Sequence, residues 1–267
     1  MVGPVMVGPS SSHTAGACRL ALLARHALLA PPTRATLTLH GSFAKTAHGH
    51  GTDVALTGGL LGYFPDDPRI PEAFAEAEAL GLELTFKTAD LGDVHPNTVR
   101  LELSNDDETL AVTGSSLGAG MVRVFNVRGF EVNVTGAYHT LLVLHDDKPG
   151  TIARVARVIA DDEGNIATLH SARRKRGGLA MMSIEIDRRL AKYALDYLTH
   201  VPYIHWLRML PEVMSGQESD AESDAAPDAG FAPGAGSGAT AANAAGTTPG
   251  TTAGRGSAAT ATGREAP

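Results

Sequence analysis

The sequence is short of several things that whole classes of protein need. It has one cysteine, Cys18, in 267 residues. One thiol cannot form an internal disulfide, and it cannot by itself hold a structural zinc or an iron–sulfur cluster. Aromatic residues make up 5%, with a single tryptophan, Trp206. Positive charge is also scarce: 22 Lys+Arg against 29 Asp+Glu give a net charge of −7. That balance argues against general nucleic-acid binding. No apolar run approaches the ~18 residues of a membrane span. Residues 1–12 carry no basic side chain, so they do not read as a secretory signal. The expectation is a cytoplasmic protein that binds neither nucleic acid nor membrane.

What is present changes character near Met214. Residues 215–267 are mostly Ala, Gly, Ser, Thr, Pro and Asp, with Phe231 the one large apolar side chain. Such a stretch cannot bury enough surface to offset chain entropy, and a disordered tail is expected there. Before it, helices are predicted over Thr14–Ala30, Thr52–Leu61, Pro71–Leu80, Thr151–Ala160 and Ala191–Thr199 from apolar spacing and Pro/Gly punctuation. Strands are predicted at Thr36–Leu39, Glu83–Lys87, Val99–Ser104, Thr109–Thr113, Val122–Asn126 and Glu131–Thr135. Asn105-Asp106-Asp107 reads as a hairpin turn. Further strands at Leu141–Leu144, Ile166–Ala172, Leu179–Ile186 and Tyr203–Leu210 complete a second unit of order β-α-β-β-α-β, a ferredoxin-like layout. The fold class is α/β (α+β), with a mixed first domain over 3–136 and a second over 138–210.

Polar clusters punctuate this frame. Ser10, Ser11, Ser12, His13 and Thr14 lie just before the first helix, where free N–H groups and the dipole favour an anion. From the residues alone a plain helix cap, for which Ser12 or Thr14 suffices, is the favoured reading. His48, His50, Thr52 and Asp53 surround a second helix start, with glycines on both sides of His50. His95-Pro96-Asn97-Thr98 is a third cluster, in a loop entering a strand. His145-Asp146-Asp147-Lys148-Pro149-Gly150-Thr151 joins a strand to a helix in the second unit. Arg173-Arg174-Lys175-Arg176 reads as a solvated turn. His13, His48, His50 and Asp53 match no established metal spacing, so a mononuclear metal hydrolase is not favoured and metal ligands are not expected on this chain.

At these residues the sequence resembles a known family. GPVMVGPSSSHTAGA (3–17), GSFAKTAHGHGTDVA (41–55) and HPNT (95–98) are similar to the β chain of bacterial iron–sulfur L-serine dehydratase. HDDKPGTIARVARVIADDEGNI (145–166) resembles the ACT domain that ends such chains. The resemblance implies an L-serine ammonia-lyase subunit, forming pyruvate and ammonia in serine catabolism. It places a 4Fe–4S cluster on a separate α chain. It implies that His13 and His50, with Ser11, Ser12 and Thr14, are catalytic. Ser10, Thr52, Asp53 and Asn97 would bind substrate, with His95 as further polar wall. Asp147, Pro149, Gly150 and Thr151 would bind an effector, such as L-serine, where ACT domains meet in a hetero-oligomer. Cys18 falls within a helix and reads as a small buried thiol.

The family pattern also implies a short apolar segment ahead of GPVMVGPSSSH. Here Met1 falls almost on the motif, so either an upstream start or a missing first strand is expected. The long Ala/Gly/Thr tail is unusual for the family. The rival reading is a non-catalytic serine-sensing module, because the first domain also resembles the allosteric substrate-binding domain of one type of D-3-phosphoglycerate dehydrogenase. The intact SSSHT and GHGTD motifs favour the enzyme.

Overall fold

The computed structural model describes residues 6–47 and 49–214. The expected tail over 215–267, His48 and the start of the first motif at Gly3 lie outside the described residues. The chain enters through a wide π-helical turn, Ser11–Ala15, in which the Gly16 N–H donates to the Ser11 carbonyl. Helix α1 (Gly16–Leu28) follows. It is apolar on nearly every side and accordingly buried on nearly every side. Leu29 takes φ +70 and Pro31-Pro32 prevents continuation.

Strand β1 (Arg34–Leu39) leads into α2 (Gly41–Thr46), α3 (Thr52–Leu61), a 3₁₀ turn (Ile70–Glu72) and α4 (Ala73–Ala79). The short α2 is the one helix that the periodicity did not announce, since six residues carry too little pattern. Gly58-Gly59, which weakens α3 as a helix, has a packing reason. A Cβ on Gly59 would lie 2.2 Å from the Cys18 carbonyl oxygen and 2.8 Å from Ala21 Cβ. The glycine lets α3 seat directly on α1.

Strands β2 (Glu83–Thr88), β3 (Thr98–Ser104), β4 (Thr109–Gly118), β5 (Met121–Val127) and β6 (Phe130–Val134) complete a six-stranded sheet of order β2-β1-β3-β4-β5-β6. Pairing β1–β2 is parallel and the rest antiparallel. Asn105 Oδ1 accepts from the Asp107 and Glu108 N–H groups, which makes the expected hairpin turn. Strand β4 runs five residues past its predicted end, through Gly114 and the buried Ser115-Ser116.

The second sheet has order β10-β7-β9-β8, from β7 (His139–Asp146), β8 (Ile166–Arg173), β9 (Leu179–Ile186) and β10 (Ile204–Leu210). With α5 (Thr151–Asp161) and α6 (Lys192–Thr199) this is the predicted βαββαβ unit. Leu141 and Val143 face the core under α5 and α6, while Leu142 and Leu144 face the core of the first sheet. Two buried faces explain why that strand reads as an unbroken apolar run. Met181, Trp206 and Leu210 join the same shared core. Among the described residues, no helix is long and apolar enough to cross a membrane.

Candidate active site

The Ser10 side chain caps the π-helical turn by accepting from the His13 N–H at 3.3 Å. The capping residue is therefore Ser10, not Ser12 or Thr14, because the turn starts earlier than the apolar pattern does. This turn fixes His13. Its Nδ1 lies 3.1 Å from Ser12 Oγ and 3.4 Å from Ser10 Oγ. Its Nε2 lies 3.1 Å from Ser42 Oγ. Phe43 packs edge-on at 5.5 Å and the His50 ring lies 5.3 Å away, centroid to centroid. Burial, and then the neighbouring His50, push the His13 pKa below its ordinary value of 6.5. The ring is neutral near pH 7.

Two elements bring the second and third motifs to it. The end of β1 turns at His40 into α2, which presents Ser42 and Phe43. Their N–H groups both point at the Pro96 carbonyl, at 2.8 and 3.4 Å. A Cβ on Gly41 would lie 2.6 Å from that same oxygen. The 95–98 loop is thereby locked against α2, and α2 against His13. Asn97 also accepts from the Ser116 N–H through its carbonyl at 2.9 Å. His95 is turned into its own loop, Nδ1 accepting from the Asn97 N–H.

Gly51, at φ +67, starts α3 and places Thr52 and Asp53 in its first turn. Both are buried. Asp53 Oδ1 accepts from the Val54 N–H at 2.9 Å. The hydroxyls of Thr14, Thr52 and Ser116 are buried with no hydrogen-bond partner. Three orphaned hydroxyls on the elements that frame one histidine are unusual, and such groups mark places where a further molecule completes the bonding.

Sequence reasoning missed Ser42, although it stands inside the GSFAKT motif. Ser116, with no motif around it, was not legible. The effector candidates lie apart, on the second sheet. Asp147 Oδ2 accepts from Arg173 Nη1 at 2.8 Å and from the Gly177 N–H at 2.9 Å, which holds its carboxyl below the usual range. Thr151 is buried and donates to the Lys148 carbonyl. Gly150, at φ +87, faces open space. The basic turn is solvated but not idle: Arg174 donates to the Arg128 carbonyl and covers the Phe130 ring at 4.3 Å.

A sequence model described as "Serine dehydratase beta chain" matches residues 3–81. One described as "AHAS small subunit-like ACT domain" matches residues 141–203. The "Probable L-serine dehydratase, beta chain" of Bacillus subtilis is 44% identical over 204 residues, 76% of this chain and 93% of that protein. This chain belongs to the L-serine dehydratase β-chain family. The "L-serine dehydratase, beta chain" of Peptoniphilus asaccharolyticus is 40% identical, covering 72% of this chain and 87% of that protein. A B. subtilis "D-3-phosphoglycerate dehydrogenase" is 26% identical over 67% of this chain and 34% of its own length.

The β chain's own residues do not fit an iron–sulfur cluster. Burial pushes the Cys18 thiol up to about 12, and it donates to the Tyr63 carbonyl at 3.1 Å inside α1. Among the described residues no group of three or more His, Cys, Asp or Glu could hold a metal ion.

Proposed function

We propose that this chain supplies one wall of an L-serine ammonia-lyase active site that an α subunit completes. The observation that carries it is His13, fixed through both ring nitrogens where three separate polar motifs meet, with His50 beside it. The 4Fe–4S cluster that the family relationship implies is assigned to the α subunit, since this chain has a single cysteine and its described residues hold no metal-binding group.

Deamination of serine removes the Cα proton and the β-hydroxyl, the latter leaving as water. The aminoacrylate so formed tautomerises to an imine, which water hydrolyses to pyruvate and ammonia. A neutral imidazole next to a second imidazole suits the proton transfers, because taking up one proton disfavours a second nearby. His13 and His50 are assigned that work. Ser10, Ser11, Ser12 and Thr14 supply hydroxyls around His13. Thr52, Asp53 and Asn97 continue the polar wall towards the substrate. The catalytic domain is read as 3–136 and the ACT domain as 138–210, with the boundary between β6 and β7. In the ACT domain Gly150 and Pro149 leave room for an effector. Asp147 and Thr151 are tied into the loop and shape it.

The test is anaerobic co-purification with a family α subunit, followed by pyruvate release from L-serine. Activity is expected in the mixture only, falling at least ~100-fold in a His13→Ala/His50→Ala double variant, the scale of lost acid–base catalysis. The similarity to D-3-phosphoglycerate dehydrogenase favours the sensor as the second reading. A cluster-loaded mixture that binds serine yet releases no pyruvate would establish it.

A further inference from the structure

Both ring nitrogens of His13 are taken. Nδ1 faces Ser12 Oγ at 3.1 Å and Ser10 Oγ at 3.4 Å, and those two hydroxyls lie 3.3 Å from each other. Ser10 Oγ also accepts from the His13 N–H. This side of the ring is a closed set inside one turn, committed to capping it. Nε2 has a single partner among the described residues, Ser42 Oγ at 3.1 Å, and it comes from a different element. An imidazole that moves a proton must reach it directly or through one bridging hydroxyl, at about 2.6–3.2 Å for each step. With no bare nitrogen on the ring, a serine hydroxyl has to be the bridge.

Ser42 is the serine suited to it. Among the described residues its Oγ bonds to His13 alone, and the residue is half-buried. A hydroxyl carries one proton and two lone pairs, so a bond to Nε2 leaves capacity for a second molecule. Its main chain is pinned at both ends. The Ser42 N–H donates to the Pro96 carbonyl at 2.8 Å, and the Ser42 carbonyl accepts from Thr46 Oγ1 at 2.8 Å. The next residue, Phe43, is fully buried and packs edge-on against the His13 ring. A hydroxyl held this way is already oriented when a proton has to cross it. Burial and the nearby His50 keep the ring neutral, ready to take that proton up.

We propose that Ser42 is the proton relay between His13 and the reacting molecule. The inference rests on the reading of this chain as one wall of a lyase site and names the path of the proton within it. Nδ1 keeps its proton and donates it to Ser12, while Nε2 accepts from Ser42. As the Cα–H bond of the substrate breaks, its proton joins Ser42 Oγ and the Ser42 hydroxyl proton passes to Nε2. The Cα–H electron pair becomes the second bond between Cα and Cβ, and the β-hydroxyl departs with the C–O pair. Ser42 ends as it began, and the imidazole has gained one proton.

The test has two arms. In the full chain alone, nitrogen resonances of isotope-labelled histidine, with His13 assigned by difference against His13→Ala, should show Nδ1 protonated and Nε2 accepting. Ser42→Ala should move His13 towards the Nε2–H form, and Ser42→Thr, which keeps a hydroxyl, should not. In the anaerobic mixture with an α subunit, Ser42→Ala should lower kcat about 100-fold, the lower end of an acid–base contribution, with KM changed less than about two-fold. Ser42→Thr should return kcat to within about ten-fold of the parent chain. Thr46→Val removes the hydroxyl from the Ser42 carbonyl and loosens α2 without touching Ser42 Oγ, so it should move neither readout. A His13 tautomer indifferent to Ser42→Ala, an unchanged kcat in that variant, or an equal loss in Thr46→Val would overturn the relay and leave the lyase reading standing. A parent chain that releases no pyruvate in the mixture would overturn the lyase reading and the relay with it, whatever the tautomer.

Discussion

His13, half-buried, and Arg19, buried, show two uses of a side chain set among polar groups. His13 keeps both nitrogens on hydroxyls, and burial lowers its pKa from 6.5. The unfolded chain therefore binds this proton more readily than the folded one. Stability from this group is complete above pH 6.5 and is lost as pH falls through 6.5 towards the lowered value. Activity that needs the neutral ring should fall on the acid side, with an apparent pKa under 6.5 in a pH–rate profile of kcat/KM. The His13→Ala variant should lack that limb. Arg19 is instead structural. It is 6% exposed and donates to the carbonyls of Gly120, Val213 and Met214 at 3.1 Å or less for the first two and 3.2 Å for the third. Arg19→Met leaves buried acceptors unpaired and should cost about 3 kcal/mol. Differential scanning calorimetry should read a Tm drop of about 10 °C.

The elements tell a similar story of local signal and remote cause. The apolar spacing of α1, α3 and α5 and the alternation of β1 and β3 were legible, because each pattern repeats within its own element. The π-helical turn, the short α2 and the last five residues of β4 were not. They exist because Ser10, the Pro96 carbonyl and the Asn97 carbonyl bond to them from outside. Gly59 is the clearest test at this scale. Gly59→Ala improves helix propensity by about 1 kcal/mol on its own, yet its Cβ would meet the Cys18 carbonyl at 2.2 Å. The helices would have to part, so a net loss of about 1–3 kcal/mol is expected in urea unfolding. A neutral or stabilising result would show that α1 and α3 shift apart freely.

At the scale of the molecule the two sheets are joined by buried polar contacts as well as apolar ones. The Asn133 N–H donates to Ser183 Oγ, and Thr135 donates to Glu185 Oε1 through both N–H and hydroxyl, each at 2.7 Å. Thr168 holds the other Glu185 oxygen at 2.9 Å. Trp206 packs in the first core and donates to Glu108, which also pairs with Arg208 at 2.6 Å. Unfolding followed by Trp206 fluorescence and by far-ultraviolet dichroism should therefore give one coincident transition. Glu185→Leu, which strips the partner from the Thr135 N–H, should lower stability by about 1–3 kcal/mol. If it splits the transition in two, Glu185 is what makes the sheets cooperate.

The sequence by itself determined the order of the longer elements, the βαββαβ second unit and the three polar motifs, since these are written in spacing, punctuation and residue type along the chain. It also shows a single thiol, which cannot by itself hold an iron–sulfur cluster. Only the tertiary structure decided that Ser42 bonds His13 and that the Pro96 carbonyl clamps α2. Those groups come from different elements, and their meeting depends on strand order and helix packing, which no local pattern encodes.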